Sequence, residues 1–229
     1  MKKVKVFIAM IAVALGGLII WSCTQDEMEN GQVTYRYSAE EIATLRAMAE
    51  KYGVPEVVFP TESSNKLLAL KDMEDIFKTF GAIKYSLSMP LEHQDSTVTS
   101  ITYKTKKPLV PSLRKKRASG GESSSYSFTE LVSSYPATLT FKVSWNPNRD
   151  QNGNITSYSL FVSGSLELPM ALVSRGYFYQ NGTTSYSKNY DETLNLTYKC
   201  DLCHYDGYGQ TIKEPISFTH KINAPAKPN

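Results

Sequence analysis

Every second residue is apolar in the stretch Ala137-Thr138-Leu139-Thr140-Phe141-Lys142-Val143-Ser144-Trp145, which decides the fold of the chain. Successive side chains of a β-strand point to opposite faces. The alternation therefore predicts a strand with one buried and one exposed face. Trp145 closes the apolar series and is expected to face the core. Asn146-Pro147-Asn148 begins a turn, and Asn152-Gly153 is typical of a hairpin loop.

The same period of two continues towards the C-terminus. Alternating segments occur at 158–162, 194–202 and 216–222, and a polar turn precedes the last of them. Helical spacing is absent from this region. Roughly 95 residues of short strands and polar turns match the size of an immunoglobulin-like sandwich. Residues 127–225 are therefore predicted to form an all-β sandwich domain.

Three short segments resemble strands of a fibronectin type III domain. They are Val143-Ser144-Trp145-Asn146-Pro147, Tyr158-Ser159-Leu160 and Leu196-Thr197-Tyr198-Lys199-Cys200. Tyr198 stands where that family has a tyrosine corner. The resemblance implies an immunoglobulin-like fold, and it implies binding or spacing duties only by analogy.

Residues 38–104 have a different pattern, which predicts a small α+β unit. Ser38 and Glu41 form a capping box at the start of an amphipathic segment. Gly53 and Gly81 are the expected ends of the two helices. The predicted elements are helices at 39–52 and 71–80 and strands at 57–59 and 97–103.

Residues 105–126 are predicted to be a basic linker between these two domains. Seven Lys and Arg residues and two prolines crowd the stretch 104–117, and a Gly/Ser-rich segment follows at 119–125. Such a composition is typical of flexible connections. The run also resembles the arginine cleavage sites of Bacteroidetes fimbrial subunits, which would imply a structural subunit of a surface fibre.

The first 22 residues are predicted to be a signal peptide. Lys2, Lys3 and Lys5 precede the uncharged run Val6–Trp21. Its 16 residues would span about 24 Å as a helix, at roughly 1.5 Å per residue. That is short for a bilayer core of about 30 Å and suits the apolar region of a secretory signal.

Cys23 is expected to carry a lipid anchor. Ile20-Trp21-Ser22-Cys23 resembles the lipobox of bacterial lipoproteins, which implies acyl chains such as palmitate on the cysteine. Residues 23–37 would be a tether. Asp26 and Glu27 resemble the surface-export signal of Bacteroidetes lipoproteins, so we expect an outer-membrane lipoprotein facing the cell exterior.

The charge balance argues against nucleic acid as a partner. The signal peptide contains three of the 25 basic residues, which leaves 22 basic and 22 acidic residues in the mature chain. A neutral chain offers no electrostatic attraction to a polyanion.

Several kinds of site are possible at the segment Cys200-Asp201-Leu202-Cys203-His204. It matches the attachment motif of c-type haem, but it ends an alternating strand instead of opening a helix. A zinc site that includes His220 would need ligands from both faces of one strand, because neighbouring strand residues point to opposite faces. A Cys200–Cys203 disulfide would need a turn, because three extended residues span about 10 Å. A straight strand would leave free thiols, with Cys203 facing outwards. We expect neither haem nor metal, and no other cofactor.

Tyrosine enrichment indicates a binding surface. Ten of the fifteen tyrosines follow residue 125, and loops that combine Tyr with Ser, Asn and Gly resemble binding surfaces. The candidate residues are Tyr177, Tyr179, Tyr186, Tyr190, Tyr205 and Tyr208. Asp95-Ser96-Thr97 fits the O-glycosylation sequon of Bacteroidetes and marks Ser96 as a modification site.

The sequence thus favours a lipid-anchored, non-catalytic module that binds a glycan or a protein. No nucleophile elbow, metalloprotease helix or phosphate loop is present in it. An envelope enzyme or redox protein using Cys200 and Cys203 is the alternative from another class.

Replacing Cys23 tests the predicted anchor. Cys23→Ala removes the sulfur that would carry the diacylglycerol, so the variant should lose its lipid and move to the aqueous phase in detergent-phase partitioning. Wild-type protein should stay in the detergent phase. Equal partitioning of the two proteins would contradict the lipoprotein interpretation.

Overall fold

A computed structural model describes residues 33–108, 128–134, 136–207 and 209–226. The signal peptide, Cys23, most of the tether and most of the predicted linker lie outside these residues. Within the described ranges, no helix is long and apolar enough to cross a membrane. The helices are α1 (Ala39–Lys51), α2 (Leu70–Leu87), α3 (Phe128–Ser134) and α4 (Met170–Val173).

Strands dominate the described chain and form three antiparallel sheets. The strands are β1 (Tyr35–Arg36), β2 (Glu62–Ser63), β3 (Leu91–Ser96), β4 (Ser100–Thr105), β5 (Thr138–Arg149), β6 (Ile155–Glu167), β7 (Tyr177–Lys188), β8 (Thr193–Tyr205) and β9 (Thr211–Asn223).

The described chain divides into two compact units, of which the first comprises 33–43 and 61–67. Its sheet consists of β1 and β2, and an ion pair joins Arg36 to Glu62 at 2.9 Å. The predicted capping box is present there. The Ser38 amide donates to Glu41 Oε2 at 2.8 Å, and the Glu41 amide donates to Ser38 Oγ at 3.2 Å.

The second unit comprises 44–60 and the described residues from 68 onwards, and it contains the two larger sheets. Their strand orders are β3-β4-β5-β6 and β7-β8-β9. The alternation in β5 is confirmed, because Leu139, Phe141 and Val143 are buried. Trp145 lies at the margin of this face and is only partly buried, so it is not the deep core residue that its position suggested.

The inner faces of the two larger sheets contact each other. The Phe141 ring of β5 lies 6.1 Å from the His220 ring of β9. Gly164 of β6 allows a close approach of the sheets, since a Cβ there would lie only 3.0 Å from the Tyr198 ring of β8. This face-to-face arrangement of antiparallel sheets is consistent with a β-sandwich.

Helix α2 packs on the inner side of the β7-β8-β9 sheet. Its Phe80 ring meets the Tyr177 ring edge-on at 5.9 Å, and the Leu87 carbonyl lies 3.1 Å from His220 Nε2. The helix passes through Gly81, the predicted end. A Cβ on Gly81 would lie 2.2 Å from the Tyr52 carbonyl oxygen, so this glycine permits close packing and does not end the helix.

One sheet contains strands from both sides of the predicted linker. Strands β4 and β5, on either side of the predicted linker, pair along their length, with Ile101 opposite Val143 and Tyr103 opposite Phe141. The Leu139 amide also donates to Thr105 Oγ1 at 3.0 Å. The strands assigned to the α+β unit therefore belong to the same sheet as the strands assigned to the sandwich. Sequence pattern gives the period of a strand but not its partner.

Because β4 pairs with β5, the two fragments of a chain cleaved between these strands should stay associated. A specific protease site inserted after Ser119 should yield two fragments that co-elute in gel filtration and separate only in denaturant, because β4 and β5 hold them together. An insertion in the β5–β6 turn at Gly153 serves as the control cut. Separation of the Ser119 fragments in native buffer would show that the shared sheet is wrong.

Phe141 should contribute strongly to stability. Phe141→Ala removes a completely buried ring and should lower the free energy of unfolding by about 3–5 kcal/mol. Phe161 on β6 is half exposed, so Phe161→Ala should lower the free energy of unfolding by about 1 kcal/mol or less. Denaturant titration of both variants measures the difference. Equal losses would place Phe141 outside the core.

Candidate functional site

Strand β7 is irregular in the middle, where a β-bulge falls between Gln180 and Thr183. Asn181 adopts a left-handed backbone conformation, with φ of 57°. Its Nδ2 donates to Asp201 Oδ2 at 2.7 Å, which fixes the bulge to β8. A Cβ on Gly182 would lie 2.6 Å from the Tyr198 hydroxyl, so any larger residue would force the Tyr198 ring to move. Bulges of this kind often redirect side chains beside functional sites.

A second irregularity lies on the other side of β8. Pro215 of β9 is opposite Asp201, and proline has no amide hydrogen to give to a neighbouring strand. Two residues earlier, Lys213 and Val58 exchange backbone hydrogen bonds of 2.7 and 2.9 Å. This bridge brings the segment containing Pro55 and Glu56 to the edge of the sheet.

A cleft of about 490 Å³ lies among these irregular segments, and we call it the bulge cleft. Its lining residues are Pro55, Glu56, Lys84, Asn181, Lys199, Cys200, Asp201, Pro215, Ile216, Ser217 and Phe218. Two lysines and two carboxylates are among them, so their formal charges cancel. The amide, hydroxyl and charged groups offer both hydrogen-bond donors and acceptors.

One of these lysines is held by a buried carboxylate. Lys84 Nζ on α2 lies 2.5 Å from Glu214 Oε1 on β9, and the Glu214 side chain is completely buried. Burial raises the pKa of Glu214, and the Lys84 ammonium opposes that rise. Glu214 Oε2 has no hydrogen-bond partner among the described residues. The ion pair therefore fixes Lys84 at the wall of the cleft.

The cysteines of the C-x-x-C-H segment are free thiols on a straight strand. Cys200 and Cys203 lie on opposite faces of β8, and both are buried. The straight-strand alternative placed Cys203 on the outward face, and it does lie on the face opposite to Cys200, but it is completely buried there. Burial raises the pKa of Cys200 to about 12 and that of Cys203 to about 11. At neutral pH neither thiol is a thiolate, the form that reacts and binds metal.

The two histidines considered as zinc ligands each have another partner. His204 Nε2 lies 3.1 Å from the Arg175 carbonyl oxygen, and His220 Nε2 lies 3.1 Å from the Leu87 carbonyl oxygen. Within the described part of the chain, no three His, Cys, Asp or Glu side chains are grouped for metal binding.

The candidate tyrosines are not gathered into one surface. Tyr177 is buried, whereas Tyr179, Tyr186, Tyr190 and Tyr205 are exposed. Tyr190 precedes β8 and Tyr205 ends it, which separates them by about 40 Å at roughly 3.3 Å per residue. Tyr208 lies outside the described residues. The exposed tyrosines therefore lie at separate places, at the strand ends and on the edge strand β7.

Ser96 lies at the exposed end of β3. Asp95 and Thr97, the other members of its sequon, are exposed as well. The position is accessible to a modifying enzyme, and glycosylation of Ser96 stays a prediction.

Sequence reasoning did not find the bulge cleft. Its signals were Asn181-Gly182, a turn-type pair inside a β-rich segment, and Pro215 inside an alternating one. The contribution of Lys84 could not be found in this way, since that residue is 130 positions from Glu214.

The comparisons with known proteins give no relative. No family model matches the chain, and neither a curated protein nor a solved structure is significantly similar to it.

The ion pair at the cleft predicts a pH-dependent loss of stability. Lys84→Met leaves a buried carboxylate unpaired and should cost about 3 kcal/mol at neutral pH. Because the pKa of Glu214 is already raised and rises further without Lys84, the variant should lose stability as the pH increases through that pKa. It should regain stability on acidification.

The double variant Lys84→Met/Glu214→Leu is the control, since it removes both charges. Its free energy of unfolding should be close to that of the wild type, without the pH dependence of the single variant. Chemical denaturation between pH 4 and pH 8 measures all three proteins. A single variant as stable as the double one would contradict the buried ion pair.

Proposed function

We propose that this chain is a lipid-anchored envelope protein that binds a glycan through the bulge cleft without catalysing a reaction. The observation that supports the proposal is the lining of the cleft, which includes the polar residues Lys84, Lys199, Asn181 and Asp201 together with exposed Ser217. Ligand sites typically combine apolar walls with a few well-placed polar groups.

The chemistry of the lining favours a neutral carbohydrate. A sugar hydroxyl both donates and accepts hydrogen bonds, and the cleft supplies donors on its lysines and amide and acceptors on Glu56 and Asp201. Phe218 and Ile216 provide apolar surface for the C–H groups of a sugar ring. Lys84 already pairs with Glu214, so the cation of Lys199 and the carboxylates of Glu56 and Asp201 give the lining both signs of charge and favour a ligand without a strong charge of its own.

The N-terminal sequence supports the location. The signal-like run before Cys23 and the acidic residues after it favour an outer-membrane lipoprotein that faces the exterior. The face-to-face sheets of the second unit suit an immunoglobulin-like sandwich, a framework that carries binding sites in many unrelated proteins.

The redox alternative has less support. Cys200 and Cys203 point to opposite faces of β8, and burial raises both thiol pKa values far above neutrality. A dithiol that exchanges electrons needs an accessible thiolate and a partner sulfur within bonding reach.

Blocking the cleft tests the proposal. Ser217→Trp places a large ring in the cleft, whereas Thr219→Trp places the same ring two residues further along the same exposed face, outside the lining. On an array of purified glycans, Ser217→Trp should lose at least tenfold in signal for the bound glycans. The signal of Thr219→Trp should match the wild type.

Two outcomes would contradict the proposal in different ways. Equal glycan signals from both variants would place the binding site elsewhere. Absence of glycan binding, with a protein captured from the native envelope by wild type and lost with Ser217→Trp, would keep the cleft but replace the ligand class.

A further inference from the structure

A second cavity lies beside the first turns of α2, and we call it the polar pocket. It has a volume of about 190 Å³ and shares no residue with the bulge cleft. Its lining residues are Leu68, Asp72, Asp75, Ile76, Arg175, Tyr177 and His204. At roughly 30 Å³ per water molecule, it has room for about six waters or a small organic molecule.

Opposite charges line the polar pocket without neutralising each other. Asp72 and Asp75 are three residues apart on α2, so they lie on the same side of the helix. Arg175, before β7, supplies the opposite charge. Within the described residues, no ion pair of 4.0 Å or less joins Arg175 to either carboxylate. Both kinds of charge therefore stay available to a ligand.

The His204 ring lines the pocket, and one of its nitrogens has no hydrogen-bond partner among the described residues. Its Nε2 lies 3.1 Å from the Arg175 carbonyl oxygen, and a carbonyl only accepts, so Nε2 carries the proton. Nδ1 is then the acceptor, and it is buried without a partner among the described residues. Burial also lowers the pKa of His204, which keeps the ring neutral. A buried acceptor without a donor is costly.

Tyr177 forms an apolar wall of the pocket. Its ring is almost completely buried, and it contacts the His204 ring with 4.6 Å between centroids. The Arg175 guanidinium carbon lies 5.9 Å from the same ring centroid. The aromatic ring therefore helps to position the cation that faces the pocket.

We propose that the polar pocket binds a small zwitterion of the α-amino acid class. An ammonium group has three N–H donors, and the exposed carboxylates of Asp72 and Asp75 supply acceptors for them. The guanidinium of Arg175 can bind the carboxylate through two parallel hydrogen bonds. This site is independent of glycan binding at the bulge cleft.

Calorimetric titration of the full chain, purified from membranes in detergent, tests the proposal with L-alanine as the probe. Propionate, which lacks the ammonium, and ethylamine, which lacks the carboxylate, should each bind at least tenfold more weakly than L-alanine. Each lost charge-assisted contact corresponds to about tenfold or more in affinity.

Variants locate the site. Arg175→Gln and Asp75→Asn should each weaken L-alanine binding at least tenfold, and because both side chains are exposed, their unfolding midpoints should stay near that of the wild type. Arg149→Gln and Asp95→Asn are matched controls on exposed strand positions far from the pocket in sequence, and they should leave the affinity unchanged.

Three results would overturn the proposal. The first is no binding of L-alanine at millimolar concentrations. The second is equal affinity for ethylamine, which would make the pocket a simple cation site. The third is unchanged affinity in Arg175→Gln, which would place the amino acid elsewhere. None of these results changes the glycan-binding comparison of Ser217→Trp with Thr219→Trp, so the two proposed sites are tested independently.

Discussion

The packing of β5 and β6 against β8 and β9 is the contact on which the second unit depends. Phe141 lies in that contact, next to the His220 ring and to the space left by Gly164. Helix α2 closes the inner side of the sheet through Phe80 and Leu87. Each of these side chains is buried because an alternating strand or an amphipathic helix presents it inwards. The regular part of the fold is thus a direct product of hydrophobic periodicity.

The bulge cleft arises where that periodicity is interrupted. Asn181 and Gly182 insert into β7, and Pro215 removes an amide hydrogen from β9. The irregular backbone is stabilised locally, since the side chain of Asn181 bonds to Asp201 and Gly182 accommodates the Tyr198 hydroxyl. Polar side chains can then line a cleft next to a closely packed core. The buried ion pair of Glu214 fixes Lys84 at its wall.

The sequence predicted those features that depend on neighbouring residues. The capping box of Ser38 and the alternation around Phe141 are local, and both are present. The pairing of β4 with β5 was missed, because strand partners depend on contacts distant in sequence. Gly81 was misread as a helix end, since its close contact with Tyr52 depends on tertiary packing. The cleft was missed for the same reason, with Lys84 and Glu214 joined only by the fold.

Photo-crosslinking in living cells tests glycan binding at the bulge cleft most directly, because the cell itself supplies the ligand. A photoreactive amino acid at Lys199 lies in the bulge cleft, and one at Lys142 lies on the exposed side of β5. We expect the Lys199 position, but not the Lys142 position, to acquire carbohydrate mass after irradiation. Carbohydrate adducts at Lys142 with none at Lys199 would contradict glycan binding in the cleft.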